Sequence, residues 1–389
     1  MFRYKKENMI VPVLAWMAEE DYYYDVAMVK QIENLALLPF IFHHIALNPD
    51  GHVGYGMPIG GVMATDGVIV PNAVGVDIGC GMGYVKTTLK EIAIEDLKKV
   101  MGIIRKNVPV GFGHHNENQT WEGFDRAPDI KIIQQELNSS RKQLGSLGGG
   151  NHFMEIQRDS DGFISLMLHS GSRNFGLKIA KTYHEIAQKL CDRWYSDIPD
   201  KELAFLPIET LEGKEYFDAM NFALEFAKQN RHNMIIAMET AVKDIIPEVE
   251  FGPVLDVHHN YACFENHYGQ NVIVHRKGAT SAREGQIGII PGSQGTKSYI
   301  VKGKGNSESF NSCSHGAGRA MGRKEAQRSL NLEAEIKLLD DQGIIHSIRG
   351  VNDLDEASSA YKDINVVMGN QADLVDIVTE LTPLAVIKG

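Results

Sequence analysis

The feature that most limits how this chain can fold is a double change of hydrophobic period. Residues 51–90 combine short β-branched runs with closely spaced glycines, the pattern of strands joined by tight turns. From about residue 177 to 250 the spacing becomes helical. Ile179, Tyr183, Ile186, Leu190 and Trp194 recur on one face, then Tyr216, Met220, Ala223 and Ala227 do so again, with the proline-containing "SDIPDKELAFLPIE" between them. Residues 251–303 return to short apolar runs and glycine-rich turns. Strand-forming sequence on both sides of a helical stretch predicts one sheet system fed from both sides. The expectation is therefore an α+β (mixed α/β) fold, a single compact domain over residues 1–389, with central β-sheets and a helical excursion at about 177–250. Beyond it, "RAMGRKEAQRSL" and "NLEAEIKLLDDQG" read as helices, and the tail "DLVDIVTELTPLAVIKG" as a helix plus a short apolar strand. There is no internal repeat and no low-complexity tract.

At 389 residues, with 43% hydrophobic and 23% charged content, the chain can bury a substantial core and reads as a globular protein. No apolar run has the length of a membrane span, and "MFRYKKENMI" lacks the apolar core of a signal peptide, so a cytoplasmic location and no membrane partner are expected. The net charge of −11 argues against a generally basic surface that holds nucleic acid by phosphate neutralisation alone. It leaves room for a local basic channel, or for carboxylates and histidines that gather cations. Cys80, Cys191, Cys263 and Cys313 are far apart and form no C-x-x-C pair, so reduced thiols are expected and a zinc ribbon is not.

Metal-type residues occur in four places. In "GVDIGCGMG" the glycines let the backbone bend so that Asp77 and Cys80, three apart, can converge on one point. The competing reading is a carboxylate capping a turn beside an ordinary buried cysteine. "GGGNHFMEI" sends Asn151, His152, Phe153 and Glu155 into a strand, where alternation turns His152 away from Phe153 and Glu155. His169 ends the apolar run of "LMLHSGSR", and Arg173 follows at a strand-to-loop junction. In "LDVHHNYACFE" the adjacent His258 and His259 face opposite ways, so at most one joins a given site. Each stretch alone is as well explained by a satisfied core residue. Together they offer Asp, Cys and His donors for one or two transition-metal ions, and the thiolate favours zinc before manganese.

A second set of residues suits a phosphate or nucleotide. "GIIPGSQGTKSYIVKG" predicts a Gly/Ser turn between two strands, with Ser293 and Ser298 in it, and it lacks the spacing of a P-loop. Arg276, Lys277 and Arg283 in "HRKGATSAR" form a compact basic group, for which phosphate binding is preferred to a solvated face. In "SCSHGAGR", His315 is followed by Gly316, Ala317 and Gly318, which leave a phosphate free to approach, and Arg319 is expected one helical turn away. Taken alone, His315 could be ligand, base, nucleophile or a helix-terminal residue ordering a loop.

The ordered motifs "DIGCGM", "GGGNHFMEI", "LHSGSR", "HHNYACFE", "HRKGA", "PGSQGTKS", "SCSHGAGR", "AYKDI" and the terminal "VIKG" make the chain similar, over essentially its whole length, to the RtcB family of RNA ligases. The resemblance implies a GTP- and manganese-dependent enzyme that joins an RNA end bearing a 3′-phosphate or 2′,3′-cyclic phosphate to a 5′-hydroxyl end, in RNA repair or tRNA splicing. By resemblance, His315 is the guanylylated residue, which displaces pyrophosphate from GTP, passes GMP to the RNA 3′-phosphate, and so prepares it for attack by the 5′-hydroxyl. Asp77, Cys80, His152, His169 and His259 match ligands of two Mn²⁺ ions with Cys80 bridging, which overrides the preference for zinc. The H-N-x-A-x-x-E pattern selects His259 over His258. Asn151 matches a residue near the phosphates, and Phe153 one that packs on guanine. Glu155, Ser293, Ser298 and Lys388 match the guanosine pocket, and Gly316, Ala317 and Gly318 would bind the nucleotide by leaving space for its phosphate. Arg319 and Arg173 would face phosphates, Asp50 and His52 match a nearby polar motif, and Cys313 becomes a packing residue. Archease is an implied activating partner. Gln294 stands where the family commonly has Met, and His114 and His115 match no role. The rival functions are a repair variant acting on a different terminal phosphate and a non-catalytic, metal-bound RNA-binding protein.

Overall fold

In the computed structural model, which describes residues 1–389, two large sheets carry the molecule. The first has six strands in the order Phe2–Tyr4, Val13–Ala15, Ile41–His52, Ile59–Thr65, Gln270–Lys277 and Asn260–His267. The second has seven, in the order Leu255–His258, Gly81–Lys86, Ile164–Ser170, Phe153–Asp159, Val375–Lys388, Ser298–Gly303 and Ile287–Ile290. Both sheets take strands from before and after the helical stretch, as the double change of period predicts.

The helical stretch consists chiefly of Arg173–Arg193 and the 35-residue Leu211–Ile245. The long helix serves two cores. Its first half sets Tyr216, Met220 and Ala223 against Ile179 and Tyr183 of the preceding helix, and its second half sets Met234, Ile235 and Met238 against Val85, Leu166 and Leu168 of the seven-stranded sheet. Apolar burial at about 25 cal/mol per Å² makes such a shared element the natural tie between layers. No helix is long and apolar enough to cross a membrane.

One short element goes unforeseen and two local expectations fail. Between the two long helices, Leu206–Pro207 forms a short strand against Val68–Ile69, too brief to leave a periodic signal. The tail contains no helix after residue 374. Val375–Lys388 is one strand, paired to Ser298–Gly303 on one side and Phe153–Asp159 on the other. Its β-branched Val375, Ile377, Val378, Thr379 and Thr382 favour that state, and a register shift between Pro383 and Ala385 absorbs the proline that cannot donate to the ladder. After His315 the chain runs as an open loop, and the next helix begins only at Arg323. Gly318 sits at φ +74°, outside the helical region, so Arg319 is not one helical turn from His315.

Candidate active site

The metal-type residues converge. Asp77 to Cys80 is a tight turn closed by the Cys80 N–H donating to the Asp77 carbonyl (3.1 Å), with Gly79 at φ +73°. A Cβ there would lie 2.8 Å from the Cβ of Ala227, so only glycine brings the carboxylate and thiol together at this depth. His152 directly precedes the strand Phe153–Asp159, and its Nε2 lies 3.0 Å from Asp77 Oδ2 and 3.4 Å from Cys80 Sγ. His169 is opposite Phe153 in the ladder, with Nε2 3.2 Å from Cys80 Sγ and 3.2 Å from His259 Nε2. Donor atoms of Cys80, His152 and His169 all lie within 4.8 Å of one another.

The chemistry of these donors fits a cation. The Nδ1–H groups of His152 and His169 donate to the Leu147 and Asn151 carbonyls (2.9 and 3.1 Å), which turns each Nε2 toward the cluster. Burial, with neighbouring histidines, holds His169 and His259 well below the usual imidazole range, so both rings are neutral and His169, with its proton on Nδ1, presents a lone pair at Nε2. Burial, with the Asp77 carboxylate, pushes the Cys80 thiol well above its usual value. For Asp77, burial is the largest influence and raises the carboxyl, but the His152 bond and charge outweigh it and the net shift is downward. A divalent ion here would satisfy the lone pairs and draw the proton from the thiol. Gly171 completes the arrangement, since a Cβ on it would fall 2.3 Å from Asp77 Oδ1.

Beside the cluster opens a cleft of about 800 Å³, part of it open to solvent. His315 stands on its wall, just past the strand Ser312–Ser314. Its ring centre is 4.7 Å from that of His259. The fully buried Asp50 binds it twice, with Oδ2 accepting from the His315 backbone N–H (3.0 Å) and from its Nδ1 (2.6 Å). Burial raises the Asp50 carboxyl, yet the His315 bond and charge hold it below its ordinary value, so Asp50 is an anion that keeps the proton on Nδ1 and leaves Nε2 with the lone pair. Gly318 is required for this approach, because a Cβ on it would sit 2.3 Å from the Asp50 carbonyl oxygen.

Asn151, Phe153, Glu155, Ser293, Ser298, Gly316, Ala317, Gly318, Arg319 and Lys388 all line this cleft. Register explains the central trio: Phe153 and Glu155 are two apart on one strand, and Lys388 pairs with Phe153 on the next. The Lys388 ammonium lies 5.6 Å from the Phe153 ring centre, and burial lowers its pKa. Burial raises Glu155 to about 8, although Gln157 donates to it at 2.6 Å and Lys388 opposes the shift. Ser298 Oγ accepts from the Gly292 N–H, and Ser293 Oγ meets Thr296 Oγ1 at 3.0 Å, which fixes the Gly/Ser turn. Arg319 reaches the wall with its donors engaged by the Met321 and Asp355 carbonyls and Glu356. Arg173 donates to Ser146 Oγ and the Gly111 carbonyl.

Residues 31–389 match the family model described as tRNA-splicing ligase RtcB. RNA-splicing ligase RtcB of Escherichia coli (strain K12) is 39% identical over 391 residues, covering 92% of this chain and 93% of that protein. This chain belongs to the RtcB family. tRNA-splicing ligase RtcB of Thermococcus kodakarensis is 34% identical over 441 residues, covering 92% of this chain and 90% of the relative.

Three features of this RtcB-family site were not legible as site residues. Asn230 and Arg231, adjacent on the long helix, are fully buried. Asn230 accepts from the Gly145 and Ser146 N–H groups and donates to the Ser146 and Gly171 carbonyls, tying together the loops before His152 and after His169. Arg231 donates to the carbonyls of Gly79 and Ser170, pairs with Asp256, and meets His258 Nδ1 at 2.9 Å. His258 thus faces Arg231 while His259 faces the cluster. The only available signal was two polar residues on an otherwise apolar helix face. Glu356 is the third, contacting Arg319, Arg323, Tyr361 and Lys388 across the cleft wall.

The basic group fails as a phosphate site. Arg276 is fully buried and bound to both oxygens of Glu265 (2.7 and 3.1 Å), and Lys277 is buried against the Tyr55 and Asn72 carbonyls. Arg283, the exposed member, also pairs with Glu265. Sequence proximity of three cations concealed an interior ion pair. His115 caps the Gly145 carbonyl (3.1 Å) and His114 is exposed.

Proposed function

We propose that the chain acts as one catalytic domain and is an RNA ligase that joins 3′-phosphate or 2′,3′-cyclic phosphate RNA ends to 5′-hydroxyl ends, in splicing or repair, through a covalent histidine–GMP intermediate on His315. The observation that carries this is the Asp50–His315 pair. A carboxylate on Nδ1 makes Nε2 a nucleophile facing a cleft of nucleotide size, beside a cluster of cation donors.

In the first step the Nε2 lone pair attacks the α-phosphorus of GTP, the bond to the β-phosphate oxygen breaks, and pyrophosphate leaves. The Nδ1 proton stays on the ring, shared with Asp50, which offsets the positive charge the imidazole acquires. A cyclic end is first opened by water to a 3′-phosphate. An oxygen of that phosphate then attacks the same phosphorus and releases His315, and the 5′-hydroxyl attacks the activated 3′-phosphate, expelling GMP. Two Mn²⁺ ions, held by Asp77, Cys80, His152, His169 and His259, would supply positive charge for the phosphoryl oxygens during these displacements. Phe153 offers a face for guanine, Glu155 an acceptor for its N–H edge, and Ser293, Ser298 and Lys388 further polar contacts. Asn151 and the Gly316–Gly318 backbone lie where phosphates would pass, and Arg319 adds positive charge to that wall. Activation by archease belongs to the same assignment.

Incubation of a 3′-phosphate RNA and a 5′-hydroxyl RNA with the protein, GTP and Mn²⁺ tests it. A joined strand is expected with the unaltered protein and none with His315→Ala. Joining by the variant, or none by the unaltered protein with any divalent metal, overturns the assignment.

A further inference from the structure

Phe112 is fully exposed, yet the turn that carries it is firmly held. The Gly113 N–H donates to the Val110 carbonyl (2.9 Å) to close the turn, with Gly111 at φ +60°. On one side the Leu147 N–H donates to the Pro109 carbonyl (2.9 Å), and on the other the Gly111 N–H donates to the Gly148 carbonyl (2.8 Å). Arg173 Nη2 donates to the Gly111 carbonyl (2.8 Å). The ring thus stands one residue from a carbonyl gripped by Arg173.

The segment it leans on borders the active site. A Cβ on Gly148 would lie 2.6 Å from His152 Nδ1, one on Gly149 3.7 Å from the Gly111 Cα, and one on Gly150 2.8 Å from Arg323 Nη2. Arg323 keeps 52% of its side chain exposed. The ridge 148–150 therefore joins the turn that carries Phe112 to the back of His152 and to the Arg173 and Arg323 guanidiniums. In a chain of net charge −11, such a local pairing of cations with an anchored, exposed aromatic ring selects a polyanion with flat apolar faces. Single-stranded nucleic acid has that chemistry: bases stack on the ring and phosphates meet the guanidiniums.

We propose that Phe112 is a stacking platform for an unpaired base of the RNA strand entering the site, with Arg173 and Arg323 near the flanking phosphates. This rests on the RNA-ligase assignment above. An exposed aromatic that stacks on a base is worth about 5- to 150-fold in binding. Phe112→Ala should therefore raise KM for the RNA ends by at least about fivefold. It should leave the rate of GMP transfer from GTP to His315 unchanged, because Phe112 touches neither the cleft nor the cluster. Phe112→Trp should restore KM, and its added fluorescence should be quenched by a single-stranded 3′-phosphate oligoribonucleotide. An unchanged KM in Phe112→Ala, or no quenching of Phe112→Trp at saturating RNA, overturns the proposal and leaves Phe112 for a protein partner. If the unaltered protein joins no ends, the ligase assignment fails instead, and quenching alone decides the stacking.

Discussion

Replacing Arg231 by Met keeps most of the aliphatic stem and removes the guanidinium that backs the metal cluster. The guanidinium makes five contacts: Nε and Nη2 to Asp256 (2.7 and 2.8 Å), Nη1 to the Gly79 and Ser170 carbonyls (2.7 and 2.9 Å), and Nη2 to His258 (2.9 Å). Without it, the Asp256 carboxylate, 13% exposed, loses its partner, and two buried carbonyls lose their donor. Leaving one member of a buried pair alone costs about 3–5 kcal/mol, and each carbonyl left buried without its donor adds about 1–3 kcal/mol more. The two carbonyls belong to the turn that presents Cys80 and to the residue after His169, so both ligand arms loosen. A loss of about 10- to 100-fold in metal affinity follows, as for other groups that orient ligands. Urea unfolding with chelator present measures the first effect, and Mn²⁺ titration followed by electron paramagnetic resonance the second. Metal affinity within twofold of the unaltered protein, in a variant that is destabilised, would refute the coupling of Arg231 to the cluster.

The pair at His315 gives sharper tests. Asp50→Asn can turn its amide N–H toward Nδ1, which places the ring proton on Nε2, so GMP labelling should fall by a factor on the order of 10³–10⁴ with the fold retained by circular dichroism. Gly318→Ala must hold φ near +74° with a Cβ 2.3 Å from the Asp50 carbonyl oxygen, so labelling should be lost and the melting temperature should fall by several degrees. Glu155 is protonated below about pH 8, whereas the N–H edge of guanine needs the carboxylate. Because the raised pKa disfavours that form at lower pH, GTP affinity should climb by up to about tenfold per pH unit from 6 toward 8 and then level off, and Glu155→Gln should flatten the profile in calorimetric titrations.

How much of this was written in the sequence depends on which physical signal each part leaves. Periodicity exposed the two long helices and the flanking sheets, because their apolar faces are long. Glycine spacing exposed the Asp77–Cys80 turn, because φ +73° beside Ala227 admits nothing else. The tail misled because the apolar residues of Val375–Lys388 mimic a helical period, whereas its pairing on two sides is a long-range fact. The helix expected after His315 failed for a local reason, the left-handed backbone at Gly318. Arg276 looked like a phosphate ligand because its partner Glu265 is eleven residues away on the neighbouring strand, invisible to composition. Asn230, Arg231 and Glu356 act through contacts that close only when distant segments meet, so no short motif marks them.

The most direct measurement of the central claim is the fate of the α-phosphate of GTP on the protein. Radiolabelled GTP and Mn²⁺ should yield a protein–GMP adduct that is labile in acid and stable in alkali, as a phosphoramidate is, and that peptide mapping locates on His315. An adduct on another residue, an adduct that survives in His315→Ala, or no adduct with any divalent metal would contradict it.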